Sequence, residues 1–391
     1  MSLKILLIHN QYQHRGGEDT VFESEQKLLA KMGETVDTLL FNNDNIDSTI
    51  NKIKFGLYSF YNPSSSSLLE EKINSFNPDI VHIHNFFPIA SPSIFYVANK
   101  KNIPVVMTLH NYRLICPNAM FFREGRVCEN CISKSFSLDG VMYGCYRDSK
   151  LQTLFLATMT WLHKKNGTWK NRIDKYIALT DFAKNKFLNS SLNLNDFKIE
   201  IKPNFVVDYG FELEKEEYCL FVGRLSKEKG IDILLNAFQN SSRKLQIIGS
   251  GPMLETVEEY SKKYDNIEYL GFQSIDFIIG KLKKAKALIF TSIWFEGMPM
   301  TILESFSTGT PVICGDIGGP AEIVANEING LVYKAGDSLK LQEKIEKLYT
   351  QPELYTTLSQ NARMEFEEKY SEEKNYIQLV NIYKKVIDEK K

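Results

Sequence analysis

At 391 residues the chain is too long for one ordinary core, and division at roughly 150 residues per domain gives two or three domains, of which two is the working number. Hydrophobic content of 43% and charged content of 24% are those of a folded globular protein and exclude a disordered or collagen-like chain. A net charge of -1 argues against nucleic acid as the main partner, which demands a basic surplus.

The first strand pattern, LKILLIHN, begins almost at Met1 and leaves no room for a charged segment, an apolar segment and a cleavage site, so a cytoplasmic protein is expected. The N-terminal half then alternates KILLIHN, a helical stretch from Thr20 to Met32, VDTLLF, DIVHIHN, PVVMTLHN and later YIALT. Strands separated by helical patterns predict βαβ units around a parallel sheet. The second half repeats this with YCLFVG, a helix from Ile231 to Phe238, KLQIIG, a helix near Met253 to Lys263, NIEYLG, ALIFTS and PVICGD. The simplest fold is α/β with two doubly wound sheets: one domain over 1–207, a second over 208–369, and the acidic ELEKEEY stretch at the boundary. A charged helix pattern over 370–391 ends the chain and can cap either domain, including by crossing back to the first.

Two segments stand apart from this alternation. CPNAMFFREGRVCENC and YGCYR give Cys116, Cys128, Cys131 and Cys145 in an insert, 114–147, with little regular pattern of its own. Four thiolates around a Cys-x-x-Cys core suit a tetrahedral structural zinc, with an iron–sulfur cluster as the less favoured occupant and unpaired or regulatory thiols as the metal-free alternative. Cys219 and Cys314, inside apolar strands, are expected to be small core residues. The next segment carries seven Lys or Arg and two Asp between Arg147 and Lys175, interleaved with Phe155, Trp161 and Trp169. Its apolar run LQTLFLATMTWL falls short of the roughly 20 residues that span a bilayer. As a basic amphipathic helix it suits either peripheral contact with anionic lipid or packing on the sheet with a solvated basic face.

Ligands of open α/β sheets bind outside the carboxyl ends of the strands, and the unusual residues fall there. FEGMPMTILES places Glu296 just before a helix opened by Pro299, with Glu304 inside it. A helix start attracts anions, so two carboxylates there read as acceptors for sugar or ribose hydroxyls; alternatively Glu304 answers the helix dipole and Glu296 is an ordinary loop acid. In VGRLSKEKG, Arg224 and Lys229 can grip phosphate oxygens, and in RGGED the adjacent Gly16 and Gly17 let backbone N–H groups approach a phosphate, although such loops are also ordinary turns with solvated charges. One of these in each half suggests a diphosphate held between domains. TLHNY places His110, with Asn111, at the same edge of the first sheet, and VHIHN adds His84; a histidine there can hydrogen-bond a sugar hydroxyl or a developing charge. His9 and His82 read as buried, hydrogen-bonded core residues.

Taken together, RGGED, TLHNY, VGRL with EKG, IIGSGP, and FEGMPMTILES followed by TGTPVICGDIGG resemble the retaining, nucleotide-sugar-dependent glycosyltransferases of family four, over nearly the whole chain. The glutamate pair with its GTPV is the specific part. The resemblance implies the GT-B fold, two Rossmann-like domains facing across a cleft, with an acceptor domain first and a nucleotide-sugar donor domain second. It implies that Glu304 binds the ribose hydroxyls and Glu296 those of the transferred sugar. Arg224 and Lys229 would take the diphosphate, helped by the Gly16 and Gly17 backbone and by N–H groups at Gly297 and Met298, and His110 would touch the donor sugar near the reacting carbon. It further implies retention of configuration and no catalytic metal, in keeping with the lack of an Asp-x-Asp motif at a strand end. The expected function is transfer of a hexose-type sugar to a glycan or lipid-linked acceptor in bacterial surface polysaccharide assembly, at the inner face of the membrane. A nucleotide-sugar epimerase on the same fold and a non-catalytic sugar-nucleotide-binding scaffold are the alternatives.

Overall fold

In β1 (Lys4–Asn10) Ile5, Leu6, Leu7 and Ile8 are all fully buried, so both faces of the strand are covered, as in a parallel sheet flanked by helices on each side. The computed structural model describes residues 2–11, 16–42, 58–212 and 214–391. The following strands are β2 (Thr35–Phe41), β3 (Ile80–Ile83), β4 (Val105–Leu109), β5 (Phe122–Arg123), β6 (Arg126–Val127), β7 (Lys175–Ala178) and β8 (Ile199–Ile201). Then come β9 (Tyr218–Val222), β10 (Lys244–Ile248), β11 (Ile267–Tyr269), β12 (Ala287–Phe290), β13 (Val312–Gly315) and β14 (Gly330–Tyr333).

Contacts divide the chain into two units, Met1–Phe121 with Cys128–Pro203 and Asn375–Lys391, and Phe122–Val127 with Asn204–Lys374. The first holds a parallel sheet of order β2-β1-β3-β4-β7-β8. The second holds a parallel sheet of order β11-β10-β9-β12-β13-β14. Each order reverses direction once, between β1 and β3 and between β9 and β12. Right-handed crossovers send the helices that follow such a strand pair to opposite faces, which opens a crevice at the carboxyl ends.

The last helix, Glu372–Lys390, belongs from Asn375 onward to the first unit. Leu379, Val380, Tyr383 and Val386 share one buried cluster with Ile5 and Leu7 of β1 and with Phe22 and Leu29 of the helix Gly17–Lys31. Polar bonds fix its register: Asn375 Nδ2 donates to Pro203 O at 2.8 Å, and Tyr376 OH to Glu34 Oε1 at 2.7 Å.

Three sequence expectations are corrected. The first helix begins at Gly17, not Thr20, because Asp19 reaches back to accept the Gly16 N–H at 2.8 Å and so caps an earlier turn. Pro299 is the residue before the helix Met300–Ser307, not its first residue, with extended backbone at ψ 125°. The insert is more regular than its pattern suggests, with the β5–β6 hairpin and a short helix, Leu138–Met142.

Leu379 is fully buried, and Leu379→Ala should cost about 2–5 kcal/mol. By hydrogen exchange the amides of β1 and β3 should lose protection in this variant, while those of β9 and β12 keep it.

Candidate functional site

In the second unit the reversal point lies between β9 and β12, which pair Cys219 with Ala287 and Leu220 with Leu288. The segment after β9 carries Arg224 and Lys229; the segment after β12 carries Ser292, Glu296, Gly297 and Met298. Backbone contacts bind these loops tightly. Gly230 has φ 70°, and a Cβ there would lie 2.1 Å from Thr291 O, so only glycine lets the two loops meet. Thr291 Oγ1 also donates to Lys229 O at 2.7 Å.

This closeness brings together two residues to which the resemblance gives different tasks. Lys229 Nζ donates to Glu296 Oε1 at 2.6 Å, and Ser292 Oγ bonds the same oxygen. Lys229 also lies 5.7 Å from the ring centres of Phe290 and Trp294. In the structure, then, the expected diphosphate lysine and the expected sugar-binding glutamate neutralise each other. Sequence reasoning missed Ser292; its signal was a hydroxyl in the TS pair directly behind the apolar ALIF strand.

Glu304 behaves differently. It sits in the helix Met300–Ser307, is 8% exposed, and its carboxylate has no hydrogen-bond or ion-pair partner among the described residues. Burial pushes it up to about 7. The hydroxyl of Tyr209 is pushed up to about 12, by burial first and then by the Glu304 and Asp276 charges. A buried carboxylate without donors is costly to ionise, and a ligand with hydroxyls would remove that penalty.

Arg224 is exposed and lines a cavity of about 240 Å³ with Gly223, Gly249, Ser250, Phe272 and Gln273. Gly249, with φ 148°, lets the loop after β10 touch the loop after β9: a Cβ there would fall 1.9 Å from Gly223 O. The exposed ring of Phe272, 81% accessible, offers a stacking face at the mouth of this cavity. Of the two N–H groups expected at the helix start, Gly297 lies beneath the Gly318–Gly319 turn, where Gly319 N donates to Glu296 O at 2.9 Å. Met298 is buried, and its Sδ accepts the Asn204 N–H at 3.1 Å.

The reversal point of the first unit gathers the N-terminal residues. Gly16 is less available than expected, since its N–H is taken by Asp19, whose other oxygen bonds His9 Nε2 at 2.8 Å. Gly17 opens the helix with open space around its Cα, and Arg15 of the same motif lies outside the described residues. His110 and Asn111 follow β4, and Asn111 Nδ2 donates to Glu18 Oε1. His84 follows β3, is buried, and holds His110 through Nδ1···Nε2 at 3.0 Å. With Asn85, Phe87 and Arg113 these two histidines line a small cleft. His9 and His82 are fully buried and hydrogen-bonded.

Burial, followed by the charges of Cys131 and Cys145, pushes the Cys116 thiol up to about 12, which places these three thiols near one another. Cys116 Sγ bonds Asn118 Oδ1 at 2.9 Å. The four insert cysteines do not form a group whose ligand atoms lie within 4.8 Å of one another; among the described residues the group that does is Glu25, His82 and His84. Lys202 Nζ sits 3.0 Å from Glu25 Oε2 and pairs with that carboxylate, while the histidines face its other oxygen.

Two family profiles cover most of the chain: "Glycosyltransferase Family 4" matches residues 27–207 and "Glycosyl transferases group 1" matches residues 210–365. An uncharacterized glycosyltransferase of Methanocaldococcus jannaschii is 27% identical over 81% of this chain and 78% of its own length. The lipopolysaccharide 1,6-galactosyltransferase of Escherichia coli K12 is 30% identical over 45% of this chain, spanning about half (52%) of that enzyme. In fold the chain is similar to Anabaena HepE, solved in complex with UDP, with a TM-score of 0.66, 14% identity, and 98% of this chain and 100% of that one covered.

The Glu304 environment predicts a pH signature. Its folded-state value lies above the ordinary carboxyl value of 4.5, so the folded protein binds the proton more tightly than the unfolded chain does. The resulting stabilisation is full below about 4.5 and is lost as pH rises through about 7. Glu304→Gln should therefore stabilise the ligand-free protein at pH 8, on the order of 1–3 kcal/mol, and change little at pH 4.5, read by thermal unfolding at both pH values.

Proposed function

The chain belongs to the glycosyltransferases of the family-four type, with the GT-B fold, and on that premise we propose that it moves a sugar from a nucleoside-diphosphate donor to a glycan or lipid-linked acceptor, with retention at the anomeric carbon, in surface polysaccharide assembly. The observation that carries this reading is the buried carboxylate of Glu304, without a partner among the described residues, on the helix entered from the Lys229–Glu296 loop pair. Its chemistry asks for hydroxyl donors, and the ribose of a nucleotide supplies them. The 240 Å³ cavity flanked by Phe272 and Gln273 is the place for the base. Arg224 and Lys229 then hold the diphosphate, and they with the N–H groups at Gly297 and Met298 stabilise the leaving group, so no step is assigned to a metal. The named activity of the Escherichia coli relative and the UDP bound to HepE support the donor class and the setting.

The acceptor side rests on the helix Lys150–Lys165. Its inner face buries Thr153, Leu156, Ala157 and His163, yet its outer face is apolar as well, with Leu151 58% exposed and Leu154 and Leu162 also exposed. Next to it Leu138, Met142 (60% exposed) and Tyr143 continue the same apolar surface. Lys164, Lys165 and Lys170 line a cavity of about 610 Å³ close to the end of this helix, and burial lowers Lys164 to about 8. Apolar side chains rimmed by lysines suit the interface of an anionic leaflet, where lipid-linked acceptors reside. No helix among the described residues is long and apolar enough to cross a membrane. Peripheral contact at the cytoplasmic face is the reading that follows. A zinc ion ordering the insert through Cys116, Cys128, Cys131 and Cys145 belongs to the same proposal and rests on their Cys-x-x-Cys spacing; its binding would have to draw the thiols together, since no three of them have sulfurs within 4.8 Å of one another. The same-fold epimerase would turn over donor with no acceptor and gives the exposed apolar face no task.

Two experiments test this reading. Thermal-shift titration with UDP, GDP, dTDP and ADP should single out one nucleotide. Glu304→Ala should weaken it roughly 10- to 100-fold, the worth of charged hydrogen bonds to ribose. Glu296→Ala, which releases Lys229, should leave nucleotide affinity unchanged or tighter while transfer collapses; equal, negligible effects of both variants would remove these roles. In flotation assays the protein should rise with phosphatidylglycerol vesicles and not with phosphatidylcholine vesicles. Leu151→Asp with Leu154→Asp should abolish this, since each buried leucine contributes about 1.5–3 kcal/mol.

A further inference from the structure

Glu25 lies on the helix Gly17–Lys31 and points into the first unit, where it is 1% exposed. No part of the donor or acceptor reading uses it. Its Oε2 accepts from Lys202 Nζ at 3.0 Å, and the same ammonium donates to Asn375 Oδ1 at 3.1 Å. Its Oε1 lies 3.1 Å from His84 Nε2 and 3.1 Å from His82 Nδ1. On its far side His84 presents Nδ1 to His110 Nε2 at 3.0 Å, the two ring planes within 23° of each other and the centroids 5.1 Å apart, as an in-plane N–H···N bond requires. Lys202, Glu25, His84 and His110 thus form one hydrogen-bonded line from the interior to the strand edge where the cleft opens.

The protons along this line have one consistent arrangement. Burial acts to raise the Glu25 value, but the Lys202 ammonium, with a hydrogen bond from His82, outweighs it and holds the carboxyl well below the usual range, so Glu25 is an anion that can only accept. His84 must therefore donate from Nε2. Burial lowers His84 to about 4, and burial likewise holds His110 well below the ordinary imidazole value. Both rings are neutral at working pH, each with one N–H. With its hydrogen on Nε2, His84 has only a lone pair at Nδ1, and His110 must donate to it from Nε2.

We propose that Glu25, anchored by Lys202 and acting through His84, fixes His110 in its Nε2–H tautomer, so that His110 Nδ1 is a standing hydrogen-bond acceptor for a hydroxyl of the bound sugar. Glu25 and His84 are positioning residues. The hydroxyl part of the proposal rests on the transferase reading; the tautomer does not. It also selects among the tasks open to His110: Nδ1 takes a hydroxyl proton into a hydrogen bond and has no hydrogen to offer an oxygen that is gaining negative charge.

Long-range 1H–15N NMR of the 15N-histidine-labelled full chain, without ligand, reads the tautomer directly. The wild type should show His84 and His110 both protonated at Nε2 and bare at Nδ1; a hydrogen on His110 Nδ1 would overturn the proposal without any variant. Glu25→Gln reverses the line, because Lys202 claims the amide oxygen and the amide NH2 is left to face His84 Nε2. His84 then donates from Nδ1, and His110 should switch to the Nδ1–H tautomer. Glu25→Asp should keep the wild-type tautomers, and an unchanged His110 in a folded Glu25→Gln protein would sink the relay. Transfer should fall about 10- to 100-fold in Glu25→Gln, the loss typical when a group orienting a functional histidine is removed, and recover in part in Glu25→Asp. Because the spectrum needs no donor, failure of the transferase reading would leave the tautomer result standing. An unchanged transfer rate in a variant whose tautomer has switched would instead overturn the acceptor role of His110 alone.

Discussion

Two strands can be hydrogen-bonded neighbours and yet hand the chain to helices on opposite faces of their sheet. Where that happens the following loops must part, and a crevice at the carboxyl edge is unavoidable. Each unit has one such place, β1 beside β3 and β9 beside β12, and nearly all the chemically distinctive side chains hang there. The geometry around the second crevice is held by backbone, not by side chains. Gly230 against Thr291 O and Gly249 against Gly223 O are approaches that admit no Cβ, so the loops that carry Arg224, Lys229 and Glu296 are fixed relative to one another before any ligand arrives.

Charges drawn into these crevices meet two fates. Lys202 with Glu25, and Lys229 with Glu296, are paired within 3.0 Å and 2.6 Å, and removing one partner of such a pair strands the other, typically at a cost of about 3–5 kcal/mol when both are fully buried. The first pair is that deep; the second is partly open and is worth less. Glu304 has no hydrogen-bond or ion-pair partner for its carboxylate among the described residues. The donors that would satisfy this carboxylate are the ribose hydroxyls of the proposed nucleotide donor.

The strands were legible in the sequence because they are buried on both faces: KILLIHN coincides with β1, and the helix Ile231–Phe238 has the bounds its pattern predicts. Two short edge strands were not, although the equally short edge strand β11 was read from NIEYLG. β8 (IEI) and β14 (GLVY) are three and four residues long and carry too little pattern to be separated from loop. The candidate site was legible as loops and residue types, since glycines, Arg224, Lys229 and the glutamate pair stand at strand ends in the one-dimensional text. What the text could not convey was pairing. Glu25 has the look of one more solvent-facing acid in a charged helix, and only the fold brings it to Lys202, which lies 177 residues away. For the same reason nothing in RGGED revealed that Asp19 would consume the Gly16 N–H.

The Lys229–Glu296 contact has a consequence for selectivity. An inorganic phosphate approaching this loop offers charge to the lysine but nothing to the glutamate, so separating the pair leaves a carboxylate stranded. A polyol brings hydroxyls for the glutamate and leaves the ammonium bare. Only a molecule that carries anion and hydroxyls a short distance apart can satisfy both halves at once. If Lys229 and Glu296 take diphosphate and sugar as proposed, the bond between them would act as a coincidence detector, opening for the compound that joins anion and hydroxyls and not for either alone.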